Sequence, residues 1–157
     1  MPEPLSHRGK ILKNLIRQLE TIKVANGYSH DITTVTASVR GWSEYVEAQC
    51  PALFVIDEST NYEYHATKTM ECSWDVSIFG VIRGKDQLFM EEVIADCEDA
   101  IARNVTLSFD GVQPGPVSHI RIKNITSDGA LFDIVENSQL FRILLTIKYK
   151  RCFDQPR

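Results

Sequence analysis

The side chains able to do chemistry in this sequence are few and scattered. Its four histidines, His7, His30, His65 and His119, stand far apart, whereas residues that share a metal ion usually include at least one close pair. Its four cysteines, Cys50, Cys72, Cys97 and Cys152, form no Cys-x-x-Cys pair, so structural zinc is not expected. No apolar leader follows the polar, basic segment Met1–Lys10, and a reducing cytoplasm is the expected compartment. The cysteines therefore read as free thiols, with Cys72 and Cys97 on apolar faces of predicted elements. Asp57 and Glu58 stand just past a buried run, where catalytic carboxylates can sit, but two acids opening a polar stretch are more often simply solvated. Phosphate-binding glycine loops, His-Glu-x-x-His, Gly-x-Ser-x-Gly and calcium loops are all missing. Asn104-Val105-Thr106 and Asn124-Ile125-Thr126 match the glycosylation acceptor, but no secretion signal accompanies them. No catalytic, cofactor-binding or metal-ligating residue is assigned, and an enzyme is not expected.

Behind these side chains stands an ordinary globular composition: 157 residues, 43% hydrophobic and 24% charged, enough for one domain over residues 1–157 with loose tails at 1–5 and 152–157. A chain of this size buries roughly two-thirds of its unfolded surface and needs no disulfide to hold a core. Seventeen Lys and Arg against twenty-one Asp and Glu leave a net charge of −4, which disfavours a protein whose main task is gripping nucleic acid. The longest apolar runs, Ala52–Ile56 and Ile78–Ile82, are far too short to cross a bilayer.

Periodicity supplies the elements. Ile11, Leu12, Leu15, Ile16, Leu19 and Ile22 recur at helical spacing and predict a helix over about 7–25, stopped by Asn26-Gly27. Val35, Ala37 and Val39 alternate as a half-buried strand, and Ala52–Ile56 reads as a short buried one, with 57–66 a loop. Met70, Cys72, Trp74, Val76 and Ile78 alternate against polar neighbours and form the clearest strand. Asp86 caps a second helix reaching Asn104, with Leu88, Phe89, Val93, Ile94, Cys97 and Ile101 in one stripe. Strands are then expected at Val105–Phe109, Val117–Ile125, Leu131–Val135 and about Gln139–Lys150. The order predicts an α+β, two-layer domain: a mixed or antiparallel sheet with two amphipathic helices packed on one face. Parallel βαβ winding is not indicated.

Charge is unevenly shared between the helices. The first carries Arg8, Lys10, Lys13, Arg17 and Lys23; the second carries Glu91, Glu92, Asp96, Glu98 and Asp99. Either the two lie side by side and exchange weak surface pairs, the favoured reading, or each meets its opposite on a neighbouring subunit. The last strands add a basic surface, His119, Arg121, Lys123, Arg142, Lys148, Lys150 and Arg151, which Glu71 and Asp75 are placed to neutralise across the sheet.

Three stretches carry a family resemblance. The opening helix ends in Asn26-Gly27-Tyr28 and leads into the strand Val35–Val39 with Arg40. Pro51-Ala52-Leu53-Phe54-Val55 is a short buried strand after an irregular connection, and the strand through Trp74–Ile78 runs into the helix Leu88–Ile101. In this order, over about residues 8–151, the chain resembles the tail terminator (tail completion, tail-to-head joining) proteins of long-tailed bacteriophages. The resemblance implies a virion structural protein without catalysis or cofactor. Its subunits form a six-membered ring that caps the tail tube, stops its polymerisation and offers a surface to the head connector, with DNA only as passing cargo. It implies assembly in the host cytoplasm, residence in the tail or neck, and no membrane partner. No site residue transfers from the family. The contact candidates rest on charge and on loops as carriers of recognition: Lys13, Arg17, Trp42, Tyr45, Glu58, Tyr62, Tyr64, Glu92 and Asp96. The competing expectations are another neck or tube component and a small cytosolic ligand-binding domain.

Overall fold

The computed structural model describes residues 6–37, 47–66, 68–111, 115–127 and 138–152. Helix α1 runs His7–Glu20, and the Ser6 hydroxyl opens it by accepting the Gly9 N–H at 3.1 Å. It buries Ile11, Leu15, Gln18 and Leu19. The helix stops earlier than its periodicity suggests. A separate 3₁₀ turn, Val24–Asn26, follows, and the Asn26-Gly27 signal ends that turn, with Gly27 at φ 92°. Strand β1 is only Thr34–Thr36. A 3₁₀ turn at Glu47–Gln49 precedes β2, Ala52–Ala66, which pairs with β3, Thr69–Arg83. Helix α2, Gln87–Arg103, is capped as expected by Asp86, whose carboxylate accepts the Phe89 N–H at 2.9 Å. Strands β4, His119–Thr126, and β5, Ser138–Cys152, complete the sheet.

The fold is α+β, with one mixed five-stranded sheet in the order β1-β2-β3-β5-β4. β1 and β2 are parallel, Thr34 opposite Ala52; every other pair is antiparallel. β3 is the spine, paired along its length with β2 on one side and β5 on the other. One face packs against both helices. Val55, Val76, Ile78, Ile143 and Leu145 from the strands join Ile11, Leu15, Met90 and Val93 from the helices in one continuous core. On the other face a smaller apolar cluster, Ala52, Phe54, Val81 and Leu140, sits at one end of the sheet. Cys50, Ile56 and Phe79 pack against it, and polar side chains such as Asp75 and Ser77 lie beyond it on the same face.

Two expectations are corrected. Residues 57–66 are not a loop but the second half of β2, in register with β3 from Asp57 opposite Val76 to Ala66 opposite Thr69. Their polarity misled because this half carries exposed side chains on both faces, so strand identity comes from backbone pairing with β3. Val105–Phe109 is not a strand. Asn104 clamps it into a turn, accepting the Ser108 N–H and donating to the Ser108 carbonyl, both at 2.9 Å, while Leu107 adopts φ 52°. The segments 38–46, with Val39, Arg40, Trp42 and Tyr45, and 128–137, with the strand expected at Leu131–Val135, lie outside the described residues.

At the centre of the core, Gly80 faces the Phe141 ring so closely that a Cβ there would lie 2.1 Å from ring carbons. Gly80→Ala should therefore displace Phe141 and lower stability by about 1–3 kcal/mol in urea unfolding. Ala102, exposed on α2, should tolerate Ala102→Ser with a change under about 0.5 kcal/mol.

Candidate functional site

Many of the charged side chains singled out in the sequence hold this chain to itself. Arg8 lies over the Trp74 ring at 4.1 Å, donates to the Thr60 hydroxyl at 2.8 Å and pairs with Asp57 at 3.4 Å. Asp57 in turn accepts the Trp74 indole N–H at 2.6 Å. The adjacent Glu58 occupies a bulge in β2 and turns to the opposite face. There one of its oxygens accepts both the Ser77 hydroxyl at 2.7 Å and the Arg142 guanidinium at 2.8 Å. The Ser77 hydrogen bond, and then Arg142, hold the Glu58 carboxyl below its usual pKa. Farther along this face Asp75 accepts from Thr146 at 2.9 Å and faces the Lys123 ammonium at 3.5 Å, the cross-strand neutralisation expected of the basic strands.

The helices are joined by a neutral side chain. Gln18 is buried, donates to the Ala100 carbonyl at 2.7 Å and accepts from Asn104 at 3.2 Å. Arg17, with Lys13 as its exposed neighbour on α1, pairs with Asp110 through two contacts at 3.0 and 3.1 Å and covers the Phe109 ring. Arg17 thereby lowers the Asp110 pKa. On α2, Glu92 meets the His30 ring at 2.5 Å, and that ring stacks beside Phe89. Asp96 is buried, and its two oxygens accept the Ser29 and His30 backbone N–H groups at 3.1 and 3.0 Å, pinning that turn to α2. Arg8 and Arg17 thus find their partners on β2 and on the loop after α2, and the exposed acids Glu91, Glu98 and Asp99 remain on the outer face of α2.

The surface left over is sparse in chemistry. Ser6, His7, Arg8, Tyr149 and Arg151 line a cavity of about 180 Å³ at the start of α1. Its histidine is lowered in pKa by burial, and burial pushes the Tyr149 hydroxyl up to about 12. Cys50, Cys72 and Cys97 are thiols and not disulfides, and burial pushes the Cys97 thiol well up. Among the described residues no group of three His, Cys, Asp or Glu side chains is placed to hold a metal ion. Among the same residues no helix is long and apolar enough to cross a membrane. Large apolar side chains facing solvent include Val24, Leu88 and Val105, each on a different segment, and two aromatics together on the distal half of β2, Tyr62 and Tyr64, 51% and 70% exposed. Sequence reasoning missed Ser77 and Arg142 as partners of Glu58, because they lie on β3 and β5 and only sheet register brings them together. The sequence set Glu71 and Asp75 against the basic strands as a group and named no single partner.

No family model and no curated protein matches the sequence. Among solved structures, a chain from the virion of a native gene transfer agent particle shares the fold, with a TM-score of 0.59 at 12% identity, over 94% of this chain and 99% of that one. A sheath/tube terminator of an extracellular contractile injection system in its extended state aligns with a TM-score of 0.44 at 8% identity, over 94% of this chain and 58% of that one.

Two outcomes follow from these contacts. Asp96→Ala leaves two backbone donors without their acceptor and should cost about 1–3 kcal/mol, whereas Glu92→Ala should cost under about 1 kcal/mol in parallel denaturation curves. Because the Glu58 pKa is lower in the folded chain than in the unfolded one, its contribution is complete above the ordinary value of 4.5 and is lost as pH falls through the folded value. Glu58→Gln should accordingly flatten the acid limb of a stability-against-pH profile.

Proposed function

We propose that this chain is a structural component of a phage-tail-like particle, acting as its tail terminator. Copies form a six-membered ring that seats on the end of the tail tube, halts subunit addition and presents its other surface to the head connector. The carrying observation is the end-to-end likeness in fold to a chain of a gene transfer agent virion, which spans nearly all of both chains. The terminator role within such a particle rests on the sequence resemblance given by the opening helix, the Pro51–Val55 strand and the passage from Trp74 to Ile101. The described charges fit this reading. Asp57, Glu58, Asp75, Asp96 and Asp110 are engaged in structural contacts within the chain. A cap needs that rigidity together with surface shape. The net charge of −4 also suits a ring through which DNA passes, since dense phosphate contacts would hold the cargo.

Negative-stain imaging of the purified chain added to growing tubes of its cognate tail tests the role. Ring density on one end of each tube and an arrest of elongation are the expected result. Tubes that lengthen unchanged with bare ends, or unlimited filaments of the chain alone, would remove it, the latter in favour of a tube subunit.

A further inference from the structure

Both edges of the sheet are open among the described residues. Among the described residues β4 pairs with β5 and with no second strand, and no described strand pairs with β2 beyond the three residues that meet β1. Exposed edges template pairing with other chains, and proteins blunt them with charges and bulges. Both edges here carry those devices, with opposite sign. β4 has Arg121 and, as the extra residue of its bulge, Lys123; β2 has Glu63 and, as the extra residue of the first of its two register shifts, Glu58. Lys123 and Glu58 are tied to Asp75 and Arg142. Arg121 and Glu63 are exposed and have no ion-pair partner among the described residues. Edge-to-like-edge pairing would bring equal charges together, while β4 against β2 brings opposite ones together.

Strand direction agrees. β2, β3, β5 and β4 alternate in direction across the sheet, so β4 of one copy laid beside β2 of the next, helices on the same face, is antiparallel like its neighbours. The free stretch of β2 is long enough for the eight residues of β4. It also carries the exposed Tyr62 and Tyr64, the residue type that anchors interfaces. We infer that the outer edge of β2 receives β4 of a second copy, extending the sheet head to tail from subunit to subunit. Two different edges in contact make a heterologous interface, the kind that closes into rings. The inference names the contact within the ring of the proposed terminator and rests on that reading.

Light scattering across protein concentration, at low salt and at about 0.5 M, tests it. The wild-type chain should reach a closed multiple of its mass, less readily at high salt. Arg121→Glu and Glu63→Lys, each with an unchanged circular dichroism spectrum, should raise the concentration for half-assembly by roughly tenfold or more. The double variant should recover most of the loss, because each interface again meets opposite charges. Lys13→Glu on α1 should leave assembly unchanged. Assembly indifferent to Arg121 and Glu63, a double variant worse than either single one, loss in Lys13→Glu instead, or a wild-type chain monomeric at every concentration would each overturn the contact. Imaging with tubes separates the two claims. Variants that still cap tubes as rings overturn the edge contact and keep the terminator, whereas charge rescue without any capping keeps the contact and removes the terminator.

Discussion

A fifteen-residue strand paired on both sides is the constraint on which this structure depends. β3 meets β2 from Ala66 back to Ala52 and β5 from Cys152 back to Ser138, so the pleat of one strand sets which face every neighbouring side chain takes. Its even positions from Met70 to Ile78 face the helices, and Gly80 interrupts that row where the Phe141 ring must cross. A slip of one residue would turn Cys72, Trp74 and Val76 toward solvent and Asp75 into the core. The apolar stripes of α1 and α2 have one surface to cover, and the helix-bearing face follows from it.

The opposite face shows how charge is distributed once the register is set. Acids gather on β2 and β3, and bases on β5 and β4, so Glu58 reaches Arg142 and Asp75 reaches Lys123 across intervening strands. Exposed pairs of this kind contribute little each, about 0–1 kcal/mol. Their effect here is polarity: one side of the sheet is negative and the other positive, while the chain as a whole remains close to neutral. Glu58 and Lys123, each the extra residue at a register shift, link the internal pairing to the strands from which they arise.

Much of the fold was legible along the chain. Both helices, the strand through Trp74, the last long strand and the α+β class follow from local periodicity and capping, because a one-sided stripe must be buried whatever its partner is. The distal half of β2 was not legible. The run Asp57 to Asn61 is polar and without alternation, and it is a strand because β3 continues beside it. The Val105–Phe109 segment failed in the opposite way: its strand-like composition lost to Asn104, whose side-chain hydrogen bonds to Ser108 stabilise a turn. Of the contact candidates, Tyr62 and Tyr64 emerge as exposed, whereas Asp96, which looked like part of an acidic helix face, is turned inward onto the Ser29 and His30 amides. Helical spacing alone placed it near the border of the buried stripe, and the turn at 28–30 decided the side.

By itself, then, the sequence determined which segments are helical, which long strands alternate and where their apolar faces lie, since each of these depends on neighbours within a few residues. Tertiary structure alone decided strand order, the parallel seat of β1 beside β2, and the partners of Arg8, Arg17, Glu58 and Asp96. Those are contacts between residues dozens of positions apart. Their geometry is set when the sheet register closes, and no local pattern of charge or hydropathy encodes it.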